Sequence, residues 1–328
     1  AISYYTKTLD NNAVREVVKM RKTILEANTV GGFGVDGTYW FDTITKKLGL
    51  YKKTENYIVS NLRLSSPDTK RNVLIATALS NLLHETQKER GATAGYIGSK
   101  GKKFTKRMPA QRLLTNKKLK IAKDTLSKLG TSKFNKKAKI ELNKALEQLA
   151  RLNNIRSSVD NASIGGAKAI GYFTNMHAIF LNVVGAITQD ASTPQEARDL
   201  LAWYNFIMAK ERGGIERAVM SNTFAGNKFL PGMKSKFTKL VTEQNSFLTS
   251  FEKSATPNMI KFYKNTISGK YVDEVNRMRE IAFNAKTSGG FGIDSEYWFS
   301  QITAKINLLK KIDDHLSKQL SVSIDEEL

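Results

Sequence analysis

Apolar residues recur at helical intervals along almost the whole chain. Before residue 88 they follow one another at three- and four-residue steps, and the same spacing precedes residue 210. Such steps place apolar side chains on one face of an α-helix. No segment shows the alternation of apolar and polar residues that is typical of a half-buried β-strand. The sequence therefore predicts an all-α protein of about ten helices, arranged as two up-down helical bundles.

Glycine, proline and capping residues divide this pattern into segments. Asp36 is a good N-cap for the second helix, and glycine pairs or prolines end most of the others. The predicted helices cover about residues 3–28, 36–62, 68–98, 104–129, 133–161, 167–188, 194–226, 234–254, 257–286 and 294–320.

Two kinds of repeated segment indicate an internal duplication. Residues 27–41 match residues 285–299 at 10 of 15 positions, and a fainter copy lies around Gly165-Gly166. Lys88-Glu89-Arg90-Gly91 recurs 122 residues later as Lys210-Glu211-Arg212-Gly213. We interpret residues 67–190 and 193–320 as duplicated four-helix units, preceded by an extra hairpin at 1–66, all within one domain of residues 1–328.

The repeated Gly-Gly-Phe-Gly segments predict helix–helix corners. A phosphate-binding loop would need a preceding strand and a following lysine and hydroxyl residue, and the sequence offers neither. The Tyr-Trp-Phe triplets that follow the glycines are expected to pack in the core.

The chain is strongly basic, with 52 Lys and Arg against 30 Asp and Glu, a formal charge of +22. Nucleic acid, an anionic membrane and small anions all remain possible partners on this ground alone. The lysines are spread from end to end, and the dense run from Lys100 to Lys123 is interrupted by leucines, as on a solvated helix face. There is no cysteine and there are only 3 histidines, so we expect no disulfide, metal or cofactor. No pairing of nucleophile and base points to an enzyme.

The Lys-Glu-Arg-Gly copies contain the candidate site residues. Successive side chains on a helix point about 100° apart, and i+4 steps from the apolar face reach Arg90. Gly91 and Gly213 would let a neighbouring helix approach closely. In the second copy Arg212 lies on the apolar face and Arg217 follows near the same seam.

Two interpretations of these arginines remain open. Each could pair with a carboxylate from an adjacent helix, for which Glu89 and Glu211 are available. Alternatively, a twofold relation between the units would bring Arg90 and Arg212 face to face. Two guanidinium groups about 5 Å apart repel by about 3 kcal/mol at an effective dielectric of about 20. A planar oxyanion between them would replace that repulsion with charge-assisted hydrogen bonds.

The stretch from His84 to Gly101, with its Gln-Lys-Glu-Arg-Gly-Ala-Thr-Ala-Gly-Tyr core, resembles the signature of the nitrate- and nitrite-sensing (NIT) domain family. Residues 210–217, Lys-Glu-Arg-Gly-Gly-Ile-Glu-Arg, resemble that family's second motif. The resemblance implies an all-helical sensor with an anion held by arginines between two bundles. It makes Arg90 and Arg212 the expected ligand residues, with Arg217 as a further candidate.

From this resemblance we expect the sensor domain of a bacterial transmembrane receptor, a chemotaxis receptor in particular. The absence of cysteine and the abrupt helical ends favour a periplasmic domain, attached to the membrane only through segments outside residues 1–328. The expected partners are nitrate or nitrite and a second receptor subunit, and no nucleic acid. The alternatives are a sensor of another small anion, such as a carboxylate, and a basic helical nucleic-acid-binding protein.

Overall fold

The protein is all-α, as predicted. The computed structural model describes residues 2–27, 32–60, 69–98, 100–102, 104–191, 193–285 and 288–326. Over these residues it contains thirteen α-helices, one short 3-10 turn and no strand. The chain forms two compact units, Ala1–Leu64 and Ser65–Leu328.

The smaller unit is a helical hairpin with a short leading helix. Its elements are α1 (Ile2–Leu9), α2 (Asn12–Glu26) and α3 (Gly37–Ser60). The single predicted helix over residues 3–28 is wrong, because the Asn11 side chain accepts a hydrogen bond from the Ala13 amide and starts a new helix. Asp36 caps α3 as predicted, through a 2.7 Å hydrogen bond from the Tyr39 amide.

The first part of the larger unit consists of α4 (Thr69–Gly98), α5 (Arg107–Leu129), α6 (Lys136–Ala150), α7 (Leu152–Asp160) and α8 (Gly166–Ile187). Helix α4 packs against α5 and α8, and α6 packs against α8. The helix predicted over residues 133–161 is interrupted at Arg151, so that α6 and α7 form a broken pair.

The second part repeats this order. It consists of α9 (Pro194–Ala225), α10 (Met233–Ser254), α11 (Pro257–Thr266), α12 (Lys270–Phe283) and α13 (Ser295–Glu326). Thr193 and Glu196 form a capping box at the start of α9. The helix predicted over 257–286 is broken at Gly269, whose φ of 90° lies outside the helical region. Each part thus contains two long helices, a broken pair and a final helix, an order that favours the predicted duplication.

Helices α4, α8, α9 and α13 share the main core, which contains the buried Phe173, Phe180 and Trp203. Among the described residues, the helical stretch Gly166–Asp190 is long and apolar enough to cross a membrane. We had expected any membrane attachment to lie outside residues 1–328. Half of its apolar window is buried inside the unit, so we assign it as a core helix.

Candidate anion-binding site

Arg90 lies where α4 and α9 meet, and it is buried, with 1% of its surface exposed. Its Nη1 donates to Glu211 Oε1 at 2.7 Å and to Thr174 Oγ1 at 3.2 Å. The first interpretation of the sequence, an arginine paired with a carboxylate of an adjacent helix, therefore describes Arg90 in this structure. This ion pair joins α4 to α9.

Glu211 has two further polar neighbours besides Arg90. The Gln87 side chain donates to its Oε2, and His177 Nδ1 lies 3.5 Å from its Oε1. Burial raises the pKa of Glu211, but the charge of Arg90 outweighs burial and holds this pKa at about 2. Glu211 is therefore a permanent buried anion.

Arg217 is buried beside this pair but has no carboxylate partner among the described residues. Its Nη1 donates to Thr303 Oγ1 and its Nη2 to the Gln87 carbonyl, each at 3.1 Å. Its Nε has no hydrogen-bond partner, and its guanidinium carbon lies 5.1 Å from the Phe299 ring centre. All acceptors of this cation are neutral.

The other buried arginines of the described chain are matched with glutamates. Arg156 donates to both carboxylate oxygens of Glu89 at 2.7 and 2.8 Å, and Arg279 does the same to Glu216 at 2.7 and 2.6 Å. Burial, followed by the nearby charge of Arg90, lowers the pKa of Arg217 to about 9. The cluster of Arg90, Arg217 and Glu211 thus carries one buried positive charge that lacks a counterion.

Two glycines make room for the guanidinium groups. A Cβ atom at Gly91 would lie 3.1 Å from Arg217 Nη2, and one at Gly214 would lie 2.9 Å from Arg90 Nη2. At Gly213 a Cβ would meet nothing nearer than 3.5 Å, which is ordinary contact. Gly91 and Gly214 are therefore the positions at which the site needs glycine.

Arg212 lies elsewhere. Its Nε donates to Glu243 Oε2 at 2.7 Å and its guanidinium carbon lies 5.3 Å from the Phe247 ring centre, both on α10. Its side chain is partly exposed. The structure therefore brings Arg90 together with Arg217, and it does not bring Arg90 face to face with Arg212.

The ion pairs show that the repeated tetrapeptide does not align corresponding residues of the two halves. Glu89 and Glu216 each bind an arginine on the second helix of the broken pair in their own half, Arg156 and Arg279. By this criterion Glu89-Arg90 corresponds to Glu216-Arg217, an offset of 127 residues rather than 122. The Glu-Arg dipeptide, with a further arginine 67 or 63 residues after its glutamate, is the sequence signal that would have paired Arg90 with Arg217 rather than with Arg212.

A cleft of about 920 Å³ opens beside the buried cation. It is lined by α4, α9, α13 and the segment before α5, and it reaches Gly91 and Thr303. The guanidinium carbons of Arg217 and Arg107 lie 5.1 and 5.8 Å from the ring centre of Phe299. The cleft thus ends next to the buried cation: its lining includes Gly91, Phe299 and Thr303, which neighbour Arg217, but not Arg217 itself.

Acid is expected to weaken the fold through His84 and His177. Burial lowers the pKa of both, so they stay neutral in the folded protein, whereas in the unfolded chain they gain protons below about pH 6.5. The stability that these two histidines contribute is fully present above about pH 6.5. It is lost as the pH falls from there towards their lower pKa values in the folded protein. Denaturant unfolding should show a lower free energy of unfolding at pH 5.5 than at pH 7.0. His84→Gln should reduce this pH dependence, and an unchanged dependence would contradict the assignment.

These features define a helical domain with a buried cationic site at a helix crossing. The family model for nitrate and nitrite sensing (NIT) matches residues 1–63 and 81–321. The chain therefore belongs to the NIT family, and the resemblance seen in its motifs is confirmed. Family membership indicates sensing and signal transduction.

Two known proteins are similar to this chain. The Nitrate regulatory protein of Klebsiella oxytoca is 23% identical over 258 residues, which span 76% of this chain and 63% of the relative. The structure titled "Structure of the NasR transcription antiterminator" superposes with a TM-score of 0.73 at 20% identity, over 86% of this chain and 74% of the other. At that identity the superposition shows a shared fold.

These similarities overturn part of the expected function. The relatives are a regulatory protein and a transcription antiterminator, whereas we expected a transmembrane chemotaxis receptor. That expectation is wrong, and so is the periplasmic location that accompanied it. The expected absence of a nucleic-acid partner has no support beside an antiterminator of the same fold, and nothing supports the expected homodimer.

Proposed function

We propose that this chain is the nitrate- or nitrite-sensing part of a regulatory protein and that the anion binds between Arg90 and Arg217. The observation that carries the proposal is the buried Arg217 guanidinium, which has neutral acceptors only and an unused Nε donor. A buried charge without a counterion is costly, and a bound anion removes that cost.

Charge and shape both favour a small monovalent oxyanion. The cluster has one net positive charge, which nitrate or nitrite would neutralise and sulfate would exceed. The planar guanidinium of Arg217 presents paired N–H donors that match the oxygens of a planar anion. The cleft beside Gly91 and Phe299 supplies the route from solvent.

Binding at this place would couple three helices. Arg217 on α9 already contacts Thr303 on α13 and the Gln87 carbonyl on α4. An anion that competes with Glu211 for Arg90 would weaken one contact between α4 and α9 and add another. The resulting shift of α13 relative to α4 is the signal that we propose for the output of the regulator, which by analogy with the relatives acts on transcription.

Isothermal calorimetry and thermal unfolding with a panel of sodium salts at constant ionic strength test this function. We expect saturable binding of nitrate and nitrite, and stabilisation by about 2.7 kcal/mol at 100 times the dissociation constant. Formate tests the carboxylate alternative, while chloride and sulfate report screening. Arg212→Gln should leave the response intact. Equal stabilisation by all five salts, or none by any, would refute the proposed site.

A further inference from the structure

The small unit Ala1–Leu64 repeats the hairpin α12–α13 over far more than the glycine turn. At a constant offset of 258 residues, α2 and α12 share five identities in register with the turn, Val14, Glu16, Val17, Met20 and Arg21 in α2. No gap is needed between these positions and the matching segments 27–41 and 285–299. The hairpin α2–α3 is therefore a second copy of the hairpin α12–α13.

The two copies also share their local geometry. Asp36 and Asp294 each accept a 2.7 Å hydrogen bond from the amide three residues later. In each copy the tyrosine that donates this amide bond also places its hydroxyl on the glutamate of the preceding helix, Glu16 and Glu274 respectively. Shared sequence and shared contacts indicate that both hairpins are built for the same packing.

The copies differ in what covers the apolar face. In α13, Ile306 and Leu309 are buried, at 4% and 5% exposure, where α13 packs on α9. Their counterparts in α3 are Leu48, 57% exposed, and Tyr51, 40% exposed. The same face of the hairpin is thus covered in one copy and bare in the other.

The companion helix shows the same contrast. Phe283 of α12 stacks on Phe237 of α10, with ring centres 4.5 Å apart. Its counterpart in α2, Leu25, is 80% exposed. In the larger unit, the counterparts of these exposed residues are covered by the pair α9–α10.

Charge gives an independent pointer to the occupant. Arg279 of α12 is held by Glu216 of α9, with both carboxylate oxygens engaged. Its counterpart Arg21 is exposed, and it has no carboxylate partner among the described residues. The occupant must therefore supply a carboxylate at the position of Glu216 as well as an apolar surface.

We propose that the unit Ala1–Leu64 is half of a second helical bundle and that its apolar face binds a helical hairpin of the α9–α10 type, with a glutamate that pairs with Arg21. The hairpins α4–α5 and α9–α10 of this chain are engaged with α8 and α13 respectively. The occupant is therefore a further hairpin of this family. The family model matches residues 1–63 separately, which agrees with a second copy of this part of the domain. This inference does not depend on the anion site.

The test uses the full chain and, as probe, a labelled peptide of residues 194–254, which has the sequence chemistry of the occupant. Fluorescence anisotropy should show saturable binding. Leu25→Asp with Leu48→Asp should weaken it at least about a hundredfold, since two apolar contacts become buried carboxylates. The matched control, Leu113→Asp with Leu230→Asp, changes leucines of similar exposure in the larger unit and should bind like the wild type.

A double-mutant cycle tests the proposed ion pair. Glu216→Gln in the peptide should weaken binding to the wild-type chain about tenfold but should not weaken binding to Arg21→Gln further. Trp40 is half-buried, whereas its counterpart Trp298 is buried and donates to the Arg217 carbonyl on α9. If the free peptide fails to bind because it does not fold, joining it to the amino end of the full chain through a flexible linker should still shield Trp40 from a soluble quencher.

Three results would overturn the inference. The first is equal binding by the two pairs of aspartate variants, which would place the peptide on the larger unit. The second is an accessible Trp40 in the linked protein. The third is a dimer of the chain that Leu48→Asp dissolves and the peptide does not displace, which would make a second copy the occupant.

Discussion

Replacing Arg90 with methionine is expected to destabilise the protein by about 3–5 kcal/mol. The substitution leaves the Glu211 carboxylate, which is 2% exposed, without its 2.7 Å partner at the α4–α9 crossing. Gln87 and His177 remain near Glu211, but neither carries a permanent positive charge. Guanidinium denaturation at pH 7 measures the effect as a lower free energy of unfolding.

Two variants separate the buried ion pair from a general effect of losing an arginine. Arg212→Met removes a pair that is 21% and 31% exposed, and it should cost less than about 1 kcal/mol. Adding Glu211→Leu to Arg90→Met removes the stranded carboxylate and should recover most of the lost stability. The assignment fails if Arg90→Met costs no more than Arg212→Met.

The fold class could be predicted because helical periodicity is a local property of the sequence. The helix breaks at Asn11, Arg151 and Gly269 were missed for a physical reason. The apolar spacing continues on either side of each break, so periodicity alone predicts one continuous helix there. A capping side chain decides the break at Asn11, and a residue outside the helical region decides the one at Gly269. Arg151 keeps helical dihedral angles, and its amide bonds to the Gln148 carbonyl three residues earlier.

The proposed site could be predicted only in part. Arg90 was singled out because its motif continues an apolar face, but Arg212 was favoured over Arg217 because the repeated tetrapeptide was aligned by identity. Which arginine meets Arg90 depends on the depth at which α4 and α9 cross. The partners of Glu89 and Glu216 report that depth, and these contacts join residues more than sixty positions apart.

The receptor hypothesis failed for a different reason. It was drawn from the family resemblance, and the periplasmic location was added from the absence of cysteine and the abrupt helical ends, neither of which is a contact or a site. The motifs around Arg90 and Arg217 identify the family of the sensor. The output that the sensor controls is not determined by the packing of these helices, and only the similarity to regulatory proteins spoke against a receptor.

Replacing Arg217 with methionine is expected to abolish the response to nitrate and nitrite while leaving the anion-free protein as stable as the wild type or more stable. Methionine fills much of the same volume beside Phe299 and removes a buried cation that has no counterion. The gain should lie between zero and about 4 kcal/mol, the range seen when buried charges are replaced by apolar residues.

This outcome has the opposite sign to that of Arg90→Met, although the two arginines lie together. The same denaturation experiment, with and without saturating nitrate, measures both quantities. Arg217→Lys serves as the matched control, because it keeps the charge but loses the paired donors, so its anion-free stability should not rise and its nitrate response should be weak. Two outcomes would contradict the proposed site. Arg217→Met could destabilise the anion-free protein by as much as Arg90→Met, or it could still respond to nitrate. Either result would make Arg217 a structural residue.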